Sequence, residues 1–136
     1  MKKFLVLALL SLVVVSCGKY EEGPGFSLIS KKNRITNTWT LNARTTNGQT
    51  TSLSNFTAQI IINEDESYNV KTTLFGFPLP EENGTWKFST DKLQLLTTPN
   101  GSSNAGSWDI VRLTKDKLKV KYISSGDTLV DTYSGK

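Results

Sequence analysis

The chain is expected to fold as an all-β protein: an antiparallel up-and-down meander closed into a barrel of about eight strands, preceded by a signal peptide and a short tether. Three observations carry this expectation. From Thr38 to Tyr133, apolar residues alternate with polar ones in eight or nine short runs, the pattern of half-buried strands. Turn-forming residues separate these runs at roughly ten-residue spacing, and helical periodicity is almost absent after residue 37. The connections are short, which favours pairing of sequence neighbours, and closure removes the sheet edges that would otherwise recruit other chains.

The N-terminus has its own logic. Met1-Lys2-Lys3 is a positive start, and Phe4 to Val15 is an apolar run, shorter than the roughly 20 residues that span a bilayer. A charged start, a short apolar run and a small residue before the cut make a secretory signal over residues 1–16. The run stops at Cys17, the only cysteine in the chain. Residues 17–26 are rich in glycine and lack apolar periodicity, as expected of a flexible tether, and 27–136 form the domain.

Val14-Val15-Ser16-Cys17 resembles the lipobox of bacterial lipoproteins. That resemblance implies that Cys17 becomes the first mature residue and carries diacylglycerol and acyl chains such as palmitate. The membrane would then be a partner through this lipid, at the outer membrane. Glu21-Glu22, soon after the cysteine, resembles the surface-export signal of Bacteroidota lipoproteins; a solvated linker with two incidental acids is the alternative.

Composition narrows the chemistry. The chain has 136 residues with 16 basic and 12 acidic side chains, and losing Lys2 and Lys3 leaves a net charge of +2. About 120 mature residues suffice for one core, and a monomer is expected. No basic cluster with interleaved aromatics points to nucleic acid. Histidine is absent, which removes Ser-His-Asp and Cys-His nucleophile systems and His-ligated zinc. With Cys17 lipidated no thiolate metal site remains. A carboxylate-only mechanism remains open and needs two acids a few Å apart. The acids here fall mostly in turns or on outer faces, so no metal, no cofactor and no enzymatic activity are expected.

The elements follow in order. Ser27 to Asn37 holds Leu28, Ile29 and Ile35 among basic residues, and reads as a short helix or turn that plugs one barrel end. Trp39, Leu41 and Ala43 alternate with Thr40, Asn42 and Arg44. Asn47-Gly48 is a hairpin signal, with Gln49 to Leu53 as a polar return strand. Phe56, Ala58, Ile60 and Ile62 share a face, and after the turn Asn63 to Glu66 so do Tyr68, Val70, Thr72 and Leu74. Gly84 to Phe88, Leu93 to Leu95, Trp108 to Leu113, Leu118 to Tyr122 and Thr128 to Tyr133 complete the set.

Asn37-Thr38-Trp39, Gly84-Thr85-Trp86-Lys87-Phe88, Trp108-Asp109-Ile110 and Leu118-Lys119-Val120 together resemble the lipocalin-like domain lipoproteins of Bacteroidota over most of residues 37–136. The resemblance implies a membrane-anchored barrel that binds a small hydrophobic ligand in its interior or at its mouth. The chain departs from the Gly-x-Trp opening of lipocalins proper, having Asn37 in place of the glycine.

Candidate ligand-binding residues are Trp39, Phe56, Tyr68, Trp86, Phe88 and Arg112. The aromatics would line an eight-stranded interior, which is either filled by side chains or able to hold one small ligand. Strict alternation puts Arg112 on the face of Trp108 and Ile110, where its charge would need an anionic ligand group. Two other readings are open: stacking on Trp39, or rotation outward at a bulge. Phe75, Phe77 and Leu79 are candidate contact residues for an envelope protein or membrane, unless the Phe75–Pro80 loop folds back to cap the barrel. Lys117, Lys119 and Lys121 make a positive row, expected to be solvated. Asp127-Thr128-Leu129 matches the short O-glycosylation motif that the Bacteroidota resemblance implies. The alternative to a ligand binder is a structural or protein-interaction lipoprotein with a packed core.

Overall fold

The structure, a computed structural model, describes Tyr20, Glu21 and residues 28–136. The expected signal peptide over 1–16 and the lipid site at Cys17 lie outside the described residues. A five-residue helix, α1 (Lys31–Ile35), leads into ten strands: β1 (Asn37–Thr46), β2 (Gln49–Thr51), β3 (Phe56–Ile62), β4 (Ser67–Leu74), β5 (Phe77–Pro78), β6 (Glu82–Phe88), β7 (Gln94–Pro99), β8 (Gly106–Leu113), β9 (Lys117–Ser124) and β10 (Asp127–Gly135). The Ser30 hydroxyl caps α1, accepting the Asn33 N–H at 3.1 Å, which satisfies one of the free donors of its first turn.

All strands join one antiparallel sheet, and β10 returns to pair with β1 from Trp39–Gly135 to Thr46–Leu129. Eight strands close this barrel in the order β1-β3-β4-β6-β7-β8-β9-β10. It is the expected meander, since successive staves are neighbours. β2 and β5 are short return strands that extend β1 and β4 beyond the points where β3 and β6 pair with them. The first hairpin turns through Asn47 (φ 50°) and Gly48 (φ 82°), the positive-φ pair that matches strand twist.

One end of the barrel is shut. α1 lies there, with the turns 63–66, 89–93 and 114–116. Ile35, Trp39 and Leu113 are fully buried and Leu118 nearly so. The Trp39 indole N–H donates to the Ile35 carbonyl at 2.8 Å, and Arg34 Nη1 donates to the Leu113 carbonyl at 2.8 Å. Helix and barrel therefore share buried hydrogen bonds as well as apolar area. Removing a buried tryptophan of this kind costs about 3–5 kcal/mol. Tyr20 belongs to the same end: it is 4% exposed, its hydroxyl donates to the Lys92 carbonyl at 3.0 Å, and Lys31 Nζ stands 4.5 Å from the ring centroid. The tether was expected to hang free, but this residue of it is packed against the domain.

Two bulges break the alternation. The β1–β10 register shifts between Leu41 and Ala43, so Ala43 turns to solvent instead of inward and Arg44 takes the inward position. The β8–β9 register shifts between Ile110 and Arg112. The extra residue in a bulge moves all that follows to the opposite face.

Candidate functional site

Above the plug the interior is not filled. A cavity of about 200 Å³ lies within the barrel, lined by residues of β1, β3, β4, β6, β7, β8, β9 and β10. Its walls are mainly apolar. Ile60, Ile62 and Val70 form one side, Leu95, Leu118 and Val120 another, and Phe56, Tyr68, Trp86, Trp108, Tyr122 and Tyr133 supply six aromatic rings. Trp108 and Tyr122 pack with centroids 4.2 Å apart. Glu82 and Phe56 begin their strands, and Arg44, Thr72 and Tyr122 lie near the ends of theirs. Those positions all fall at the end away from α1, and Glu82 is exposed, so the mouth is there.

The bulge in β1 creates the main polar feature. Arg44 pairs in register with Asp131 of β10. Its Nε and Nη2 donate to the two carboxylate oxygens at 2.7 and 2.8 Å, a bidentate fork. Tyr122 and Tyr133 donate their hydroxyls to Asp131 Oδ2 at 3.0 and 3.2 Å, and Arg44 Nη2 also reaches the Tyr122 oxygen at 3.1 Å. Asp131 is completely buried, whereas the Arg44 side chain is 23% exposed and sits over the Phe56 ring at 5.5 Å. A buried charge needs such partners. The hydrogen bonds to Asp131 push the Arg44 guanidinium above its ordinary value. Burial, and then the Asp131 charge, push the Tyr122 hydroxyl up to about 12 and raise that of Tyr133 further.

On another wall, Tyr68 donates to Glu82 Oε1 at 2.6 Å. Burial and then this hydrogen bond raise the Tyr68 hydroxyl well above its ordinary value. Trp108 Nε1 donates to the Thr97 hydroxyl at 3.1 Å, leaving its ring turned to the cavity.

Of the residues expected from sequence to bind a ligand, Phe56, Tyr68 and Trp86 meet at this cavity. Trp39 does not; it is part of the plug below. Phe88 stands behind Trp86, edge-on at 5.5 Å, and does not line the space. The ligand reading of Arg112 is corrected in favour of the outward turn at a bulge. The bulge at Val111 sets it opposite Lys119, in register with the outer face, and it does not line the cavity. The arginine at the closed end is Arg34. Arg44, Glu82, Trp108, Tyr122, Asp131 and Tyr133 were not singled out from sequence. One signal was present: a closed meander puts its first strand beside its last, and Arg44 and Asp131 are complementary charges on those two strands.

The Phe75–Pro80 loop does not fold back as a cap. Phe75 (φ 51°) and Gly76 (φ 80°) turn a hairpin, with Phe75 67% and Phe77 73% exposed and Leu79 also exposed. Thr128 is exposed on β10, its N–H held by Asn47 Oδ1 at 2.9 Å.

The cavity, the shut end and the eight-stave closure coincide with a family comparison. A model described as a lipocalin-like domain matches residues 35–120. The chain belongs to the lipocalin-like domain family. A comparison with curated proteins finds no match. In this lipocalin-like barrel the matched stretch runs from the last residue of α1 into β9, so Tyr122, Asp131 and Tyr133 lie beyond it. Among the described residues of the lipocalin-like chain, no helix is long and apolar enough to cross a membrane, and no group of three or more acidic residues stands close enough to hold a metal ion.

Proposed function

We propose that this lipocalin-like protein is a lipid-anchored binding protein of a Gram-negative envelope, of the Bacteroidota type, which holds one small, mainly apolar molecule in its barrel and does not transform it. The aromatic-walled cavity is the observation that carries this reading. An enclosed apolar cavity of about 150 Å³ accommodates benzene, and drug-sized ligands need roughly 300 Å³ or more. At about 200 Å³ the occupant is one ring or a short branched chain. The absence of histidine and the use of Asp131 as a structural acceptor support binding without catalysis.

Titration of the protein with single-ring compounds, followed by tryptophan emission from Trp86 and Trp108, tests the cavity. Saturable one-to-one binding is expected, and Ala58→Leu, which fills the space from β3, removes it. An unchanged response in Ala58→Leu would place the ligand elsewhere. The anchor has a separate test: a fatty-acid analogue should label the wild type in cells and not Cys17→Ala.

A second reading, a protein-interaction lipoprotein, is favoured by the exposed Phe75 and Phe77. It predicts that a photocrosslinker at position 77 captures a discrete envelope protein, and that Ala58→Leu leaves capture intact. Loss of capture in Ala58→Leu would tie the hairpin to the cavity instead.

A further inference from the structure

The sign of the charge inside the barrel narrows the ligand class beyond small and apolar. Two charged side chains line the cavity, Arg44 and Glu82. Arg44 is the residue that would receive a carboxylate, yet the edge bearing its Nε and Nη2 is already occupied by Asp131. An incoming acid would be left with Nη1 alone, beside a carboxylate that repels it and that also accepts from Tyr122 and Tyr133. The pair is therefore close to neutral as seen from the cavity. Glu82 is different. Tyr68 donates to one of its oxygens, but the ion pairs among the described residues are Arg44–Asp131 and Lys71–Glu81, so no base neutralises Glu82. The lining carries one uncompensated negative charge, placed at the mouth.

The rings act in the same direction. An aromatic face is the negative part of its quadrupole and attracts a cation, more strongly where water is excluded. Tyr68, Trp86 and Trp108 line the same space as Glu82. Around an anion both contributions reverse sign.

We infer that the cavity takes a small organic cation, an ammonium group on a one-ring or short branched apolar body, and disfavours carboxylates of the same shape. This rests on the binding function proposed above. The ammonium sits toward Glu82 with aromatic faces beside it, and the apolar body points down toward Ile62 and Leu118.

The test uses the full chain in lipid nanodiscs, with empty nanodiscs as the blank, and three probes of nearly equal size: benzylammonium, benzyl alcohol and benzoate. Binding is read by tryptophan emission at low ionic strength. Benzylammonium should bind about tenfold more tightly than benzoate, with benzyl alcohol between, because the Glu82 carboxylate at the water-facing mouth attracts the one and repels the other. Glu82→Gln keeps an acceptor for Tyr68 and should weaken benzylammonium by about tenfold and benzyl alcohol by much less, so that the preference for the cation is lost. Benzoate binding as tightly as benzylammonium overturns the cation inference and leaves the cavity function standing. A cation preference that survives Glu82→Gln overturns the role given to Glu82. Failure of all three probes to bind removes the cavity function and this inference with it.

Discussion

Asp131→Asn is the substitution that tests the polar wall most directly. Volume is conserved, so the effect is electrostatic. Four donors converge on the carboxylate: Arg44 Nε and Nη2 and the hydroxyls of Tyr122 and Tyr133. An amide oxygen serves about two of them, and the new NH2 group faces donors. Hydrogen bonds to a charged group contribute about 1.5–3 kcal/mol each, and breaking a buried ion pair costs roughly 3–5 kcal/mol. Arg44 is 23% exposed and can recover water, which holds the expected loss near the lower bound, about 3 kcal/mol. With an m-value of about 1–3 kcal/mol/M in urea, the unfolding midpoint should fall by roughly 1–3 M. The double variant Arg44→Met/Asp131→Leu removes both charges but leaves the Tyr122 and Tyr133 hydroxyls without their acceptor, so it should lose clearly less stability than the sum of the two single variants. A midpoint shift below about 0.5 M for Asp131→Asn, at unchanged m-value, would refute the argument. So would a double variant as unstable as the sum of its parts.

Alkaline pH should unfold the protein early. All four tyrosines, Tyr20, Tyr68, Tyr122 and Tyr133, have hydroxyls raised above their ordinary value, chiefly by burial. Unfolded phenols release protons first, so the stability they contribute is complete below about pH 10 and declines above it; urea midpoints at pH 8 and pH 11 check this, and equal values would contradict it. Gly84→Ala should destabilise by about 2 kcal/mol, because the added Cβ meets the Thr98 carbonyl and stands 2.7 Å from Tyr68 Cε1 and 2.9 Å from Pro99 Cα; thermal unfolding and a loss of ring binding, through a displaced Tyr68, report it. Phe75→Asn should stabilise by roughly 1 kcal/mol, since asparagine tolerates the positive φ that Phe75 adopts at an exposed tip; a neutral or negative effect in urea melts would mean that the ring makes a stabilising contact.

The fold was legible because its periodicity is local. Phe56 to Ile62 and Tyr68 to Thr72 alternate as written, and the turns at Asn47-Gly48 and Asp91 fall where their residues require them. What escaped was set by register. Alternation predicts Ala43 inward and Arg44 outward, and one extra residue in β1 reverses both. The same device in β8 carries Arg112 out of the interior that strict alternation assigns it. The unbroken apolar run of Ile110, Val111 and Leu113 around Arg112 leaves a bulge open in the sequence, but the pattern alone does not fix which face Arg112 takes. Thus the aromatic half of the cavity could be read in advance through Phe56, Tyr68 and Trp86, while its charged half depended on which residue β10 brought beside Arg44. Tyr20 escaped for another reason: a lone aromatic among glycines and acids gives no period to read.

With the proposed lipid on Cys17, the docking of Tyr20 against the plugged end would decide which way the molecule faces. Cys17 is three residues away, within about 11 Å along a stretched chain. The proposed acyl group on that cysteine would therefore draw the plugged base down to the headgroups. Eight-residue staves tilted by about 40° would then lift the opening roughly 20 Å clear of the lipid, toward water rather than the bilayer. A visitor would arrive from the aqueous side, and bilayer lipid would have no direct route in. A spin label at Ile123, beside the rim, should be relaxed by a water-borne paramagnet and not by a lipid-borne one; the opposite result would mean that the cup is upside down.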